Sequence, residues 1–326
     1  MAETDLLGAI NLALSRAMSE DGSVIVLGED VGVDGGVFRA TDGLLKRFGS
    51  RRVLDTPLAE VAIAGLSVGA AAQGLRPVAE IQFSGFIYPA IDQMLNHASR
   101  MRNRTRGRLS CPMVLRAPYG GGVHAPEHHS ESPEALFAHI PGLRVVIPSS
   151  PARAYGLLLA AIRDPDPVIF LEPKRLYHAA KEDVADNGDA LALDQPVAVR
   201  EGDEVTLVSW GAMMREVVNA ADEMADRDIA CEVIDVCTLS PFNDGPILES
   251  VSRTGRCVIV HEATRTCGFG AEIAARIADK AVFSLLAPVK RVTGLDTVMP
   301  LPKLEGLYMP SVAAIVAAIG EVMRYR

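Results

Sequence analysis

The sequence predicts an α/β protein built on mostly parallel sheets. Strand-like apolar runs alternate with helix-length runs from one end to the other, the signature of that class. Hydrophobic residues make up 49% and charged residues 22%, an ordinary globular balance that excludes a disordered chain. The alternation fades once, across a polar stretch near residues 178–200, and 326 residues suit about two domains.

The elements follow in order. Residues 5–20, with Leu6, Leu7, Ile10, Leu12, Ala13 and Ala17, read as an amphipathic helix. Val24–Gly28 is a short buried strand ended by a turn signal. Val61–Gly74 is a helix of small residues, which permit close backbone approach, so it is expected to be buried against another element. Strands are expected at 76–83, 112–116, 143–148 and 168–171, and helices at 91–102 and 152–163. The segment from His178 to Asp189 is polar and lacks a period, as linkers do. Beyond it come strands at 204–211, 231–236 and 256–261, and helices at 214–227, 245–254, 270–280 and 310–323. The expected division is a domain at 1–185, a linker at 186–200 and a second domain at 201–326.

Composition narrows the function. Thirty-two basic against 41 acidic residues leave a net charge of −9, and aromatics are only 5%. A nucleic-acid or anionic-membrane binder wants a basic face, so neither partner is expected. The apolar stretches, about ten residues long, are read as too short to cross a bilayer. Five cysteines, at 111, 231, 237, 257 and 267, form no Cys-x-x-Cys pair, which argues against a disulfide framework or structural zinc. The opening residues Met1–Asp5 lack an apolar run, unlike a signal or transit peptide, and a cytoplasmic location is expected.

Four stretches carry candidate chemistry. Asp55-Thr56-Pro57-Leu58-Ala59-Glu60 precedes the small-residue helix. Glu60 reads either as a carboxylate on the first helical turn or, beside so apolar a helix, as a buried carboxyl with a raised pKa. Gly120-Gly121-Gly122 precedes His124, His128 and His129, a loop suited to close backbone approach, with metal binding and a plain surface loop as alternatives. Gly268-Phe269-Gly270 after a strand is a weak nucleotide signal, because Ile273 stands where a third glycine belongs. Asp164-Pro165-Asp166-Pro167 is a stiff turn after a helix end. The chain lacks both a phosphate-binding Gly-x-x-x-x-Gly-Lys loop and the Gly-Asp-Gly…Asn arrangement that holds magnesium and diphosphate in thiamin enzymes.

Taken together, these stretches resemble the β subunit of the decarboxylating component of 2-oxo acid dehydrogenase complexes. The matching segments include Val26–Val31, Asp55–Glu60, Glu80–Phe83, Pro89–Gln93, His129–Glu134, Gly142–Pro148, Leu171–Lys174 and Ala287–Val292, in order along the whole chain. The resemblance implies a pyrimidine-binding thiamin-diphosphate domain followed by a transketolase C-terminal-like domain. It implies thiamin diphosphate as cofactor, with magnesium held mainly by a separate α subunit, and so explains the missing diphosphate motif. It implies that Glu60 hydrogen-bonds the aminopyrimidine ring, that Leu58, Gln82 and Phe86 line its pocket, and that His129 assists acyl transfer to a lipoyl arm. A potassium site is implied around Cys111, Met113, Val114, Ala161, Ile162, Asp164 and Asp166. The partners implied are the α subunit, in a heterotetramer of two α and two β chains, and the lipoyl acyltransferase core. His129–His139 and Glu172–Tyr177 look more like branched-chain enzymes than pyruvate enzymes, with pyruvate or acetoin as the alternative. The competing readings are a non-catalytic scaffold subunit and an NAD-dependent dehydrogenase.

Overall fold

The computed structural model describes residues 2–325. The chain forms two compact units. One runs to Tyr119 and resumes over Leu136–Leu193; the other comprises Gly120–Ala135 and the chain from Asp194 onward. The glycine-histidine loop, which precedes the expected boundary by some fifty residues, thus packs with the second unit.

In the first unit, β1 (Ala2–Thr4) leads into α1 (Leu6–Glu20), whose Asp5 Oδ1 accepts the Gly8 N–H at 2.9 Å and caps the helix. There follow β2 (Val24–Gly28), α2 (Leu44–Phe48), β3 (Val53–Asp55), α3 (Glu60–Ala72) and β4 (Arg76–Glu80). Short helices α4 (Ile91–Gln93) and α5 (Met101–Arg104) precede β5 (Val114–Tyr119). After α6 (Glu134–Ala138), whose first two residues belong to the second unit, come β6 (Arg144–Val146), α7 (Pro151–Arg163), β7 (Val168–Pro173) and β8 (Glu182–Val184). The main strands lie in the order β6-β7-β5-β4-β2-β3, all parallel. The apolar stripe of α1, including Leu6, Ile10, Leu14 and Met18, is buried, and α1 packs on α7. Ser150 and Pro151 start α7, a capping hydroxyl followed by a ring that suits the first turn.

Three expectations change. The helix expected at 91–102 is broken into α4, a π-turn over Met94–Ala98 and α5. There the Ser99 hydroxyl donates back to the Leu95 carbonyl at 2.8 Å, and a Cβ on Gly142 would sit 2.3 Å from the Ser99 carbonyl oxygen. The expected strand at 76–83 stops at Glu80, and a 3-10 turn covers Ser84–Phe86. The expected linker starts as ordered structure. Asp186 pairs with Arg16 at 2.8 Å and accepts the Tyr155 hydroxyl at 2.8 Å, while Arg163 donates to the Gly188 carbonyl at 2.9 Å. The polar, aperiodic residues are the ones that make these ties.

The second unit holds β9 (Val197–Arg200), β10 (Val205–Ser209), α8 (Met213–Ala225), β11 (Cys231–Asp235), β12 (Thr238–Ser240) and α9 (Gly245–Thr254). It continues with β13 (Cys257–Thr264), α10 (Phe269–Lys280), β14 (Lys290–Gly294), α11 (Glu305–Tyr308) and α12 (Val312–Met323). Its sheet runs β14-β13-β10-β11-β9, parallel except for β9. Leu207, Val233 and Val258 from the strands, Val217 and Met224 from α8, and Ile315 and Ile319 from α12 form the core. The apolar stretch Pro302–Met323 is longer than the sequence reading allowed, but it is broken at Met309–Ser311, and Ser311 caps α12 as a new helix.

Candidate functional site

Parallel neighbours β3, β2 and β4 end together: Gly28 lies opposite both Asp55 and Glu80. The carboxyl ends of such strands are where open α/β sheets bind ligands. Beyond β2 stand Glu29 and Asp30, beyond β3 stand Leu58 and Glu60, and beyond β4 stand Gln82 and Phe86. The topology therefore brings all the pyrimidine-pocket residues implied by the sequence to one sheet edge.

Glu60 is the first residue of α3, where a carboxylate favours the positive helix terminus. It is half-buried, not buried as the apolar helix suggested. The reason is that α3 covers only one face: Ile63, Ala64, Ser67, Val68 and Ala71 are buried, while Val61 and Leu66 are 47% and 59% exposed and Leu58 is 81% exposed. The carboxyl that is buried is Glu29. Burial, then the Glu60 and Asp30 charges, push its pKa up, and its Oε1 has no hydrogen-bond partner. Gln82 is held by donating Nε2–H to Asp30 Oδ2 at 3.1 Å. Phe86 packs edge-on to Phe83, 5.8 Å between ring centres, and Phe83 meets Phe38 at 5.4 Å. A buried carboxyl with one unpaired oxygen, its group also held by the Ala59 backbone, next to the Glu60 charge and an apolar ring wall, fits a ligand with a nitrogen donor on a flat ring.

Below this edge lies a fully buried charge network. Arg116 on β5 donates to Glu80 Oε2 at 2.8 Å and to Glu172 Oε1 at 2.7 Å, and the Tyr177 hydroxyl donates to Glu172 Oε2 at 2.7 Å. Burial pushes Glu80 up, against the pull of Arg116. The network fixes the ends of β4, β5 and β7.

His129 belongs to the second unit, on a 3-10 turn over Glu127–His129. Its ring lies 4.2 Å from that of His128, centre to centre, and it is half-buried. His124 is exposed. Among the described residues no group of three or more His, Cys, Asp or Glu is placed to hold a metal ion. The loop before the histidines is gripped from below. Gly121 donates N–H to Glu262 Oε2 at 2.8 Å, and Gly122 and His124 donate to the two oxygens of Glu305 at 2.7 and 2.9 Å.

The stretch implied for potassium is already supplied with cations. Arg76 donates to the Ile162 and Asp164 carbonyls at 2.9 and 3.1 Å, Arg144 pairs with the Asp164 carboxylate, and Arg102 pairs with Asp166. The Met113 carbonyl accepts the Val168 N–H, and Cys111 is buried. The glycines after β13 have a packing role: a Cβ on Gly268 or Gly270 would come within 2.6 or 2.7 Å of the His261 ring.

Sequence reasoning did not single out Glu29, Arg116 or Glu305, and treated Glu262 only as part of a glycine turn. Glu29 had a readable signal, an acidic residue directly after a buried strand. The others act through residues far away along the chain.

Comparison with known proteins places these features in one family. The transketolase pyrimidine binding domain matches residues 3–179, and the transketolase C-terminal domain matches 195–315. The chain is 48% identical to the pyruvate dehydrogenase E1 component subunit beta of Acholeplasma laidlawii, with all of both chains covered. It is 45% identical to the Bacillus subtilis subunit of the same name, again with full coverage. It is 48% identical to a mitochondrial 2-oxoisovalerate dehydrogenase subunit beta 2 of Arabidopsis thaliana, over 98% of this chain and 89% of that one. A solved split-gene transketolase, described as an inactive beta4 tetramer, shares the fold over 100% of both chains, with a TM-score of 0.81 at 22% identity. The chain belongs to the transketolase-like β subunits of 2-oxo acid dehydrogenases, the thiamin-dependent decarboxylating components.

Proposed function

We propose that this chain supplies the pyrimidine side of a thiamin diphosphate site and, with an α subunit, decarboxylates a short 2-oxo acid and passes the acyl group to a lipoyl arm. The observation that carries the reading is the meeting of Glu60, Leu58, Gln82 and Phe86 at the ends of three adjacent strands, beside the unpartnered oxygen of buried Glu29. Thiamin diphosphate, when bound, supplies the electron sink on which the acid loses carbon dioxide. Glu60 shares a proton with a ring nitrogen, a task for a carboxyl group that an amide cannot perform. Leu58 and Phe86 exclude water from the ring faces, and Gln82, held by Asp30, orients it. His129 hands a proton to the departing lipoyl sulfur, an exchange that imidazole makes near neutral pH.

Magnesium is assigned to the α subunit, which carries the diphosphate motif absent here. Potassium is proposed at the turn at Asp164–Asp166, with Met113, Ala161 and Ile162, where it would have to displace Arg76 from the Ile162 and Asp164 carbonyls. The assembly proposed is two α and two β chains docked on the acyltransferase core.

The acid has two readings, each with its own support. His129–His139 and Glu172–Tyr177 favour 2-oxoisovalerate; the names of the Acholeplasma and Bacillus relatives favour pyruvate. Turnover of the α–β assembly on the two acids decides between them. In the same assembly Glu60→Gln is expected to lower decarboxylation by about 100-fold or more and to leave the assembly intact. Unchanged turnover in that variant sinks the catalytic reading in favour of a scaffold.

A further inference from the structure

We infer that Glu305 and Glu262 are positioning residues for His129, clamping the backbone of the loop that presents it. Three backbone amides in four residues go to these two carboxylates: Gly121 to Glu262, and Gly122 and His124 to Glu305, at 2.7–2.9 Å. Both side chains are buried, at 3% and 2% exposure. Amide bonds to a buried carboxylate are charge-assisted and stronger than neutral ones.

The loop is built to reach the clamp. Gly120 and Gly122 have φ of 87° and 81°, in the left-handed region that glycine enters freely. A Cβ on Gly120 would meet the Glu262 carboxylate at 2.8 Å, and one on Gly121 would meet Met299 Cε at 2.7 Å. His124 has φ of 55° without being glycine, and its N–H is one of the three amides gripped. The loop is also closed on itself. Gly120 donates N–H to the Glu131 carbonyl at 2.9 Å, and within that ring His129 donates to Pro126 and Ser130 to Glu127, both at 2.9 Å. His129 follows His124 by only five positions, so a slack clamp displaces the imidazole. Sequence reading placed no role on Glu305, which stands 183 residues from Gly122.

The inference rests on His129 acting in acyl transfer, and its test separates the two. The α–β assembly is prepared with Glu305→Ala, Glu305→Gln and His129→Ala. Three quantities are measured: kcat for acylation of a free lipoyl domain, kcat for decarboxylation with ferricyanide as electron acceptor, and hydrogen exchange of the peptide covering 120–131. Glu305→Ala is expected to speed exchange in that peptide and to lower the acylation kcat by about 10- to 100-fold, with the KM for lipoyl domain within about threefold. Decarboxylation is expected to fall about tenfold less than acylation. Glu305→Gln keeps the volume and one acceptor oxygen, so it falls between wild type and alanine, and it tests the clamp even where alanine does not assemble. Unchanged exchange in both variants, or acylation and decarboxylation falling in parallel, overturns the inference. Full acylation by His129→Ala overturns the role of His129, while the exchange measurement still judges the clamp.

Discussion

Each unit buries a set of carboxylates, and each satisfies them differently. In the first, Glu80 and Glu172 share the guanidinium of Arg116, and Tyr177 completes the set. In the second, Glu262 Oε2 and both oxygens of Glu305 accept backbone amides, and Glu134, 0% exposed, lies near Glu262 and the Trp210 indole. The first arrangement ties neighbouring strands with a cation that its two carboxylate partners hold protonated against its own burial. The second ties a loop to a core, and beside it burial pushes the pKa of Glu134 up to about 7. A fixed network suits the sheet ends that hold a cofactor; an amide clamp suits a loop whose position sets a rate.

The comparison breaks first at Arg116. Arg116→Met leaves two carboxylates buried without their cation, and such a loss costs about 3–5 kcal/mol. Urea unfolding of the chain is expected to show it. A loss below about 1 kcal/mol would mean that the carboxylates protonate or hydrate at little cost, and that the two units do not differ as argued. Replacing Glu80, Glu172 and Arg116 together by apolar residues is expected to recover much of the loss, because apolar packing often matches a buried ion network.

Glu134 gives the next largest effect. Burial, with the Glu262 charge adding to it, pushes its pKa from 4.5 up to about 7, against its own backbone amide and the Trp210 indole. The folded state therefore holds a proton that the unfolded state has released between about pH 4.5 and 7, and stability falls as pH rises through that window. The contribution is fully present below pH 4.5, is gone above about 7, and is worth at most about 3 kcal/mol. Glu134→Gln is expected to flatten that part of the stability curve. An unchanged slope assigns the pH dependence elsewhere.

The readable parts of this fold were those decided locally. Long apolar stripes with caps, as in α1 and α7, stand where the pattern put them, because period and capping are properties of neighbouring residues. The π-turn at Met94–Ala98 was hidden; the residue after it, Ser99, packs so close to Gly142, more than forty residues on, that a Cβ there would not fit. The loop Gly120–Ala135 was read with its chain neighbours, yet its packing is set by Glu262 and Glu305, 141 and 183 residues away from their partners. Glu60, Leu58, Gln82 and Phe86 came from a resemblance and not from spacing; adjacency of β3, β2 and β4 is what gathers them. The burial of Glu60 was overestimated for a different reason. A helix apolar all round normally sits inside a core, and here the chain covers only half of α3.

That uncovered half gives the smallest expected effect on the chain and the clearest on its assembly. Val61, Leu66 and Gly69 are exposed, with Gly65 partly so, forming an apolar strip of small and branched residues that lets another backbone come close. Leu66 contributes little to this chain's own core, so Leu66→Asp is expected to change its unfolding free energy by no more than about 0.5 kcal/mol. A charge pressed into an apolar contact is costly, so the same variant is expected to weaken association with the α subunit by about tenfold or more, measured by sedimentation. Full association of the variant would mean that α3 faces water in the working enzyme, and the half-burial of Glu60 would then be its true state.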